Sequence, residues 1–503
     1  MSDFRFRLRS EPLLEPKYKA FPYQEEATDF VATRQYAAIF HEQGLGKTKI
    51  AVDVMLRWLQ KQEVDTVLVF TKKSLVANWV REFKAHSQLT PLVVSENSTK
   101  NYYVFTTPTR LVLSHFEAAK KEVRRFKAWL SSRRVGVIID ESAKIKNPDA
   151  ELTQIFFELS PFFAKRVIMT GTPVANRPYD LWAQIFFLDG GTSLGTDFNE
   201  FKRETDLVAD LKHDEKVFKD YQRRLESINK KIAGFSIRET KDGGRIVLPS
   251  KEFQRIECDW EPAQFELYRQ VREELRALVV RDGQLIEENQ DSILKRLLRL
   301  VQIASNPVMI DESYMVEPGK FEPLYNLLSD ITRQGEKAIV WTNFNDNCEW
   351  LAKRLSAFGA HPLNGNMPME RRNAVIKWFL EKPEDEVLVA TPGAAKEGLT
   401  LTVANHVIFY DRSYSLDDYL QAQDRIHRVS QTRTCYVYNM IMVDSVDEWV
   451  DCLLEEKRLA AQLTQGDIDA KTYAERATLG FFEILQRILG GSLLSHKIAK
   501  EFK

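Results

Sequence analysis

Four cysteines in 503 residues (Cys258, Cys348, Cys435 and Cys452) are too few and too widely spaced for a disulfide framework. None of them forms a Cys-x-x-Cys pair, so a zinc site has no support either, and thiols in a reducing compartment are the ordinary meaning of such spacing. No apolar run approaches the ~18 residues of a membrane span. The N-terminus, MSDFRFRLRSEP, mixes both charges and has no apolar signal core. A soluble, cytoplasmic protein with no membrane partner is therefore expected. An excess of either charge is also missing: 71 Lys and Arg stand against 72 Asp and Glu, a formal net charge of −1. That excludes a wholly basic, histone-like binder and confines any nucleic-acid surface to a local patch balanced by acidity elsewhere. There is no repeat at solenoid period and no low-complexity segment.

What remains is an ordinary globular composition, 44% hydrophobic and 28% charged, long enough for two to four domains. From Tyr36 to Met169 short β-rich runs alternate with longer helical patterns: YAAIF (36–40), TVLVF (66–70), YYVFT (102–106), VGVII (135–139) and RVIM (166–169) read as strands. The pattern returns after Lys320 with KAIVW (337–341), EVLVA (386–390), HVIFY (406–410) and CYVYNMI (435–441). Apolar, unalternating strands separated by helices indicate parallel sheets covered on both faces. Residues 198–232 and 262–304 are charged and helical in period, without strand runs, and KDGGRIVLPSK (241–251) has the look of a linker.

After the first strand comes HEQGLGKT (41–48), running straight into a helix. A glycine-rich turn between strand and helix lets backbone N–H groups, here around Gly44 and Gly46, converge on phosphate oxygens. Lys47 would reach the β- and γ-phosphates of ATP, and the Thr48 hydroxyl would ligate Mg²⁺. The full pattern has a glycine six residues before the lysine, where this chain has His41. The second signal is VIIDES (137–142), an apolar strand ending in two carboxylates. Asp140 can hold Mg²⁺ through water, and Glu141 can orient and deprotonate the attacking water. Ligands of such sheets sit at strand C-termini, where both motifs fall.

These residues resemble those of the Swi/Snf-type DNA-translocase family of superfamily 2. FPYQEEA (21–27) is similar to its Q motif, which implies that Gln24 reads the adenine edge. HEQGLGKT resembles DEMGLGKT, which also lacks the first glycine, VLVFTKKSLVANWVREF (67–83) is similar to motif Ia, and MTGTPVAN (169–176) to motif III. DESAKIKN (140–147) resembles DEAHRIKN, with Ser142 and Ala143 at the last two positions of DEAH; the family's histidine couples the nucleotide site to motif III and DNA. In the second block IVWTNFNDNCEWLAKRL (339–355) resembles motif IV and LNGNMPMERRNAVIKWF (363–379) the family segment that follows it. ATPGAAKEGLTLTVANHVIFYD (390–411), with Gly398, resembles motif V, although Ala395-Lys396 replace its Gly-Gly, and QAQDRIHRVSQ (421–431) resembles motif VI. On a helix, Gln421, Arg425 and Arg428 would share one face. The resemblance makes the two arginines γ-phosphate fingers, contributions worth about 10³–10⁵ in rate.

The family implies two RecA-like lobes with parallel sheets, each carrying a helical insertion. The expected boundaries are 1–197 for lobe 1, 198–235 for its insertion and 236–251 for a linker. Lobe 2 would start with a helical insertion at 252–310 and continue over 311–460, with a helical tail at 461–503. DNA would be gripped by its phosphates, with Lys72, Thr107 and Thr402 touching backbone by analogy. Two basic runs add Arg223 and Arg224: residues 117–134 carry seven Lys or Arg, and 216–231 carry Lys216, Lys219, Arg223, Arg224, Lys230 and Lys231. A charge run on a helix is more often simply a solvated face. No zinc-finger, homeodomain or RNA-recognition signature suggests base reading. Three functions fit: a monomeric ATP-driven motor on duplex or branched DNA, resembling small prokaryotic or phage members of the family; a motor that displaces bound proteins; and a non-catalytic DNA scaffold.

Overall fold

The computed structural model describes residues 4–476 apart from 175–176, 206–214, 244, 246–247, 282–283, 286–289, 385 and 396–400. The expected Gly398 and the tail beyond residue 476 therefore lie outside the described residues. The chain divides into two compact units: 1–207, 216–247 and 460–469 form the first, and 208–215, 248–459 and 470–503 the second. Residues 460–469 thus belong to the first unit rather than to a separate tail. There Arg238 Nε and Nη2 hold the Asp467 carboxylate at 2.7 and 2.5 Å.

In the first unit β1 (Tyr36–Ile39), β2 (Thr66–Thr71), β3 (Leu92–Val93), β4 (Leu111–His115), β5 (Val135–Asp140), β6 (Lys165–Met169) and β7 (Ser236–Ile237) form one sheet in the order β3-β4-β2-β5-β6-β1-β7. Every pairing in it is parallel. The central strands β2 and β5 are buried at every position, as their unbroken apolar runs require when helices cover both faces. The core beneath them includes Trp58, Trp79 and Phe83.

The second unit contains β8 (Lys251–Cys258), the short antiparallel pair β9 (Val280–Arg281) and β10 (Gln284–Leu285), then β11 (Ala338–Trp341), β12 (His361–Leu363), β13 (Val387–Ala390), β14 (His406–Phe409) and β15 (Cys435–Met442). Its main sheet runs β12-β13-β11-β14-β15-β8, again wholly parallel. The expected α/β class with two parallel sheets is what the chain adopts. Among the described residues no helix is long and apolar enough to cross a membrane.

Three local expectations are corrected. YYVFT (102–106) is not a strand but the end of a helix, Ser98–Thr106. The Asn97 side chain caps it, accepting from the Thr99 and Lys100 N–H groups, and that local device outweighs the strand preference of the aromatic run. The strand of this region is instead β4, nine residues further on. The segment 236–251 is not only a linker, because it starts with β7, at the edge of the first sheet, and ends at the first residue of β8. β8 lies at a sheet edge with most of its side chains exposed, so KEFQRIEC shows no apolar run to betray it. Finally, the helix carrying Gln421 is Leu416–Gln423 and stops before Arg425. The Arg425 carbonyl accepts from Leu401 N–H and the Ile426 carbonyl from Gln431 Nε2, so neither continues an intrahelical ladder.

Candidate active site

Strands β5, β6 and β1 are neighbours, and their register sets Asp140, Met169 and Ile39 in one row at the C-terminal edge. Three loops leave from that row: 40–46 after β1, 141 onward after β5, and 170–173 after β6. Across two strand spacings the flanking backbones stand roughly 10 Å apart.

The turn after β1 owes its shape to two left-handed glycines, Gly44 (φ +86°) and Gly46 (φ +73°). A side chain at Gly46 would be doubly opposed, by its φ and by Gln24 Nε2, 2.2 Å from where a Cβ would sit. Gln24 is buried against this turn: its Oε1 accepts from Phe21 N–H at 3.1 Å, and Nε2 donates to Tyr23 Oη and Leu45 O at 3.2 and 3.3 Å. Of these bonds, the one to Leu45 O ties the amide to the turn. The Lys47 ammonium donates to the carbonyls of His41 (2.8 Å) and Glu42 (3.1 Å), folding back over the loop that precedes its helix, Lys47–Gln60. His41 is buried, and burial together with the Lys47 charge lowers its pKa to about 3.

Asp140 ends β5. Its Oδ2 accepts from Trp79 Nε1 at 2.8 Å and from Thr71 Oγ1 at 3.1 Å. Burial first, and then the adjacent Glu141 charge, push its carboxyl up to about 6 against those two donors. Glu141 adopts a left-handed conformation (φ +56°, ψ +54°), uncommon for a side chain with a Cβ, and is only partly buried. The residues fit Mg²⁺. Among the described residues Asp140 Oδ1 and the half-buried Thr48 hydroxyl make no hydrogen bond, and one carboxylate plus one hydroxyl is the oxygen set this ion takes beside phosphates. No group of three or more His, Cys, Asp or Glu side chains among the described residues forms an all-protein cage.

The third loop presses on the first. A Cβ at Gly171 would lie 2.7 Å from Gln43 Cγ and 3.3 Å from Lys47 Nζ, so only glycine admits this approach. No role was assigned from sequence to Trp79, Thr71 or Gly171. Trp79 and Gly171 lie inside the segments similar to motifs Ia and III, but nothing in those strings says that an indole supports the carboxylate.

In the second unit Gln421 is buried, with Nε2 donating to Asp417 Oδ1 at 2.8 Å. Arg425 is buried in the turn after that helix, and Arg428 is half-buried with Nε donating to the Asp424 carbonyl at 3.1 Å. The Thr402 hydroxyl meets Ser430 Oγ at 3.2 Å. At the end of β14, Asp411 gathers Ser305 Oγ (2.7 Å), Thr342 Oγ1 (2.5 Å), and the Asn343 N–H and side-chain amide (2.7 and 2.8 Å). This buried carboxylate ties the helix Gln290–Ser305 to the ends of β11 and β14. It closes the motif V string, but its partners lie 68 to 106 residues away.

The basic runs differ in character. In 117–134, Lys120 pairs with Glu151, Lys127 with Glu158, Arg125 with Glu122 and Arg134 with Asp65, so most of that charge is answered inside the unit. On the helix Glu215–Ile232, Arg223 and Arg224 are exposed; Arg223 meets Asp220 at 3.1 Å and Arg224 reaches the Glu204 carbonyl at 3.3 Å. Lys72 is half-buried after β2, and Thr107 is exposed at the end of Ser98–Thr106.

Comparison with known proteins gives two family matches, the SNF2-related domain over residues 23–309 and the helicase conserved C-terminal domain over 319–430. Similar proteins include one of Mycoplasma genitalium named as an uncharacterized ATP-dependent helicase, 26% identical over 87% of this chain and 41% of its own. Another is the mouse DNA repair and recombination protein RAD54-like, 24% identical over 81% of this chain and 60% of its own. The chain thus spans roughly half the length of these relatives. Among solved structures, the Sulfolobus solfataricus SWI2/SNF2 ATPase core in complex with double-stranded DNA is 25% identical with a TM-score of 0.43, covering 97% of this chain and 100% of that one.

Proposed function

Because the chain belongs to the SNF2-related family, with a helicase C-terminal domain following, we propose that it is an ATP-hydrolysing motor that moves along DNA. The observation that carries this reading is the meeting, at one sheet edge, of the Lys47 turn, the Gly171 turn and the Asp140–Glu141 strand end.

In this reading Lys47 exchanges its two loop carbonyls for the β- and γ-phosphate oxygens of ATP. Gln24, packed against Gly46, would read the adenine edge, while the left-handed Gly44 and Gly46 aim the turn's N–H groups at the phosphates. Mg²⁺, held by Thr48 and Asp140, would neutralise phosphate charge. Glu141 takes the proton from the water that attacks the γ-phosphorus as the bond to the ADP oxygen breaks. Arg425 and Arg428 are the γ-phosphate fingers of this proposal, and Gln421 is counted with them among its catalytic residues. Phosphate contacts, from Thr402, Lys72, Thr107 and the exposed Arg223–Arg224 pair, would grip DNA without reading its sequence.

We further propose branched DNA as the preferred substrate, since a grip made mostly of phosphate contacts gains from geometry rather than from base sequence. The name of the mouse relative, a DNA repair and recombination protein, is in keeping with this. The test compares ATP-dependent branch migration of a four-way junction with unwinding of a blunt duplex. Faster processing of the junction is expected. Equal processing, or dependence on a protein partner, would favour displacement of bound proteins instead.

A further inference from the structure

Immediately after Glu141 the chain turns through Ser142–Ile145, and Ser142 is fully buried although its side chain is polar. A buried hydroxyl needs a partner, and this one finds a residue 42 positions away: Ser142 Oγ donates to Gln184 Oε1 at 2.7 Å. Gln184 is equally buried, in the first turn of the helix Trp182–Asp189. Its amide nitrogen donates to the Pro173 and Asp180 carbonyls, both at 2.8 Å.

The Pro173 carbonyl belongs to the turn that carries Gly171, which in turn abuts Gln43 and Lys47. Hydrogen bonds and close packing therefore run from Glu141 through Ser142, Gln184, Pro173 and Gly171 to Lys47. A second strut parallels it, Lys146 Nζ to Asp180 Oδ2 at 3.0 Å. Gln184 spends its amide oxygen on one catalytic loop and its amide nitrogen on another, which a nonpolar side chain of the same size could not do. At the next position Ala143 offers no polar side chain for this task.

We propose that Ser142 and Gln184 are positioning residues that hold the Asp140–Glu141 strand end in register with the 170–173 turn, and so with Lys47, during hydrolysis. This rests on the reading of Lys47 and Glu141 given above. Neither residue touches substrate. Their effect passes through the geometry of Glu141, so it falls on turnover rather than on nucleotide capture.

The experiment measures kcat and KM for ATP, with saturating DNA, together with the thermal midpoint, in Ser142→Ala, Ser142→Thr, Gln184→Leu and the Ala–Leu double variant of the full chain. Expected are a roughly tenfold lower kcat in Ser142→Ala and Gln184→Leu with KM within about twofold. The double variant should lose no more than the worse single, because one bridge is broken in all three. Ser142→Thr, which keeps the hydroxyl, should recover turnover to within about twofold. The proposal is overturned if Ser142→Ala turns over normally, if the two losses multiply, or if kcat falls only in step with the thermal midpoint and threonine fails to restore it. Glu141→Gln serves as the reference. If it too turns over normally, the site reading is at fault; if it is inactive while Ser142→Ala is normal, only the bridge is.

Discussion

Replacing Trp79 by Phe removes one N–H group and leaves an aromatic ring against Phe83, whose centroid lies 5.2 Å from that of Trp79. The lost group is the shorter of the two donors to Asp140 Oδ2, 2.8 Å against 3.1 Å from Thr71. A hydrogen bond to a charged group is worth about 1.5–3 kcal/mol. Its loss falls mainly on the ionised form of Asp140, whose carboxyl burial has already pushed up to about 6. At 1.4 kcal/mol per pH unit this raises the carboxyl's pKa by about 1–2 units, and the smaller ionised share at pH 7 means that the variant should need roughly 2- to 15-fold more Mg²⁺ for half-maximal nucleotide binding. Raising the pH favours the carboxylate and so should narrow the gap to wild type at pH 8.5. The assay titrates Mg²⁺ against a fluorescent ATP analogue, which reads binding without turnover, and Thr71→Val should give a smaller shift in the same direction. A Mg²⁺ midpoint identical to wild type, in a variant that still binds nucleotide, would refute the idea that the indole supports the Asp140 carboxylate.

Other outcomes follow from the same geometry. Arg428→Ala should leave ATP affinity near normal while turnover drops by about 10³-fold or more, as steady-state kinetics with a parallel binding titration would read. Glutamates at Arg223 and Arg224 together should weaken DNA stimulation of the ATPase while sparing the rate without DNA, since both side chains are exposed and, among the described residues, pair only with Asp220 and the Glu204 carbonyl. His41 stays neutral in the folded protein down to about pH 3 but gains its proton near pH 6.5 once unfolded. The unfolded chain therefore binds more protons between those values, and stability falls as pH falls. Between pH 7.5 and 5.5 this residue alone should remove about 1.4 kcal/mol, read as the difference between wild type and His41→Gln in urea unfolding.

Sequence revealed the parts of the site whose information is contiguous. The phosphate turn was legible because Gly44, Gly46, Lys47 and Thr48 lie within five residues between an apolar strand and a helix, and Asp140–Glu141 because they end an apolar run. Partners set by folding were hidden: the Trp79 indole is 61 residues from Asp140, Gln184 is 42 from Ser142, and Ser305 is 106 from Asp411. Errors in the fold had local causes. Aromatic and β-branched residues at 102–106 suggested a strand, but the Asn97 cap made a helix. The exposed edge strand β8 has no apolar signature. The i, i+4, i+7 spacing of Gln421, Arg425 and Arg428 suggested one helical face, but after Gln423 the chain tightens into i+3 bonds, Arg425 N–H to the Ala422 carbonyl and Ile426 N–H to the Gln423 carbonyl, and the Arg425 carbonyl pairs with Leu401 N–H instead.

The central claim, that Lys47 and Glu141 belong to one ATP-hydrolysing site driven by DNA, is met most directly by a single comparison. ATP binding and hydrolysis are measured, with and without duplex DNA, for wild type, Lys47→Ala and Glu141→Gln. Wild-type hydrolysis should rise with DNA, Lys47→Ala should neither bind nor hydrolyse ATP, and Glu141→Gln should bind ATP and hold it unhydrolysed. Undiminished hydrolysis in both variants, or a wild-type rate indifferent to DNA, would contradict the account.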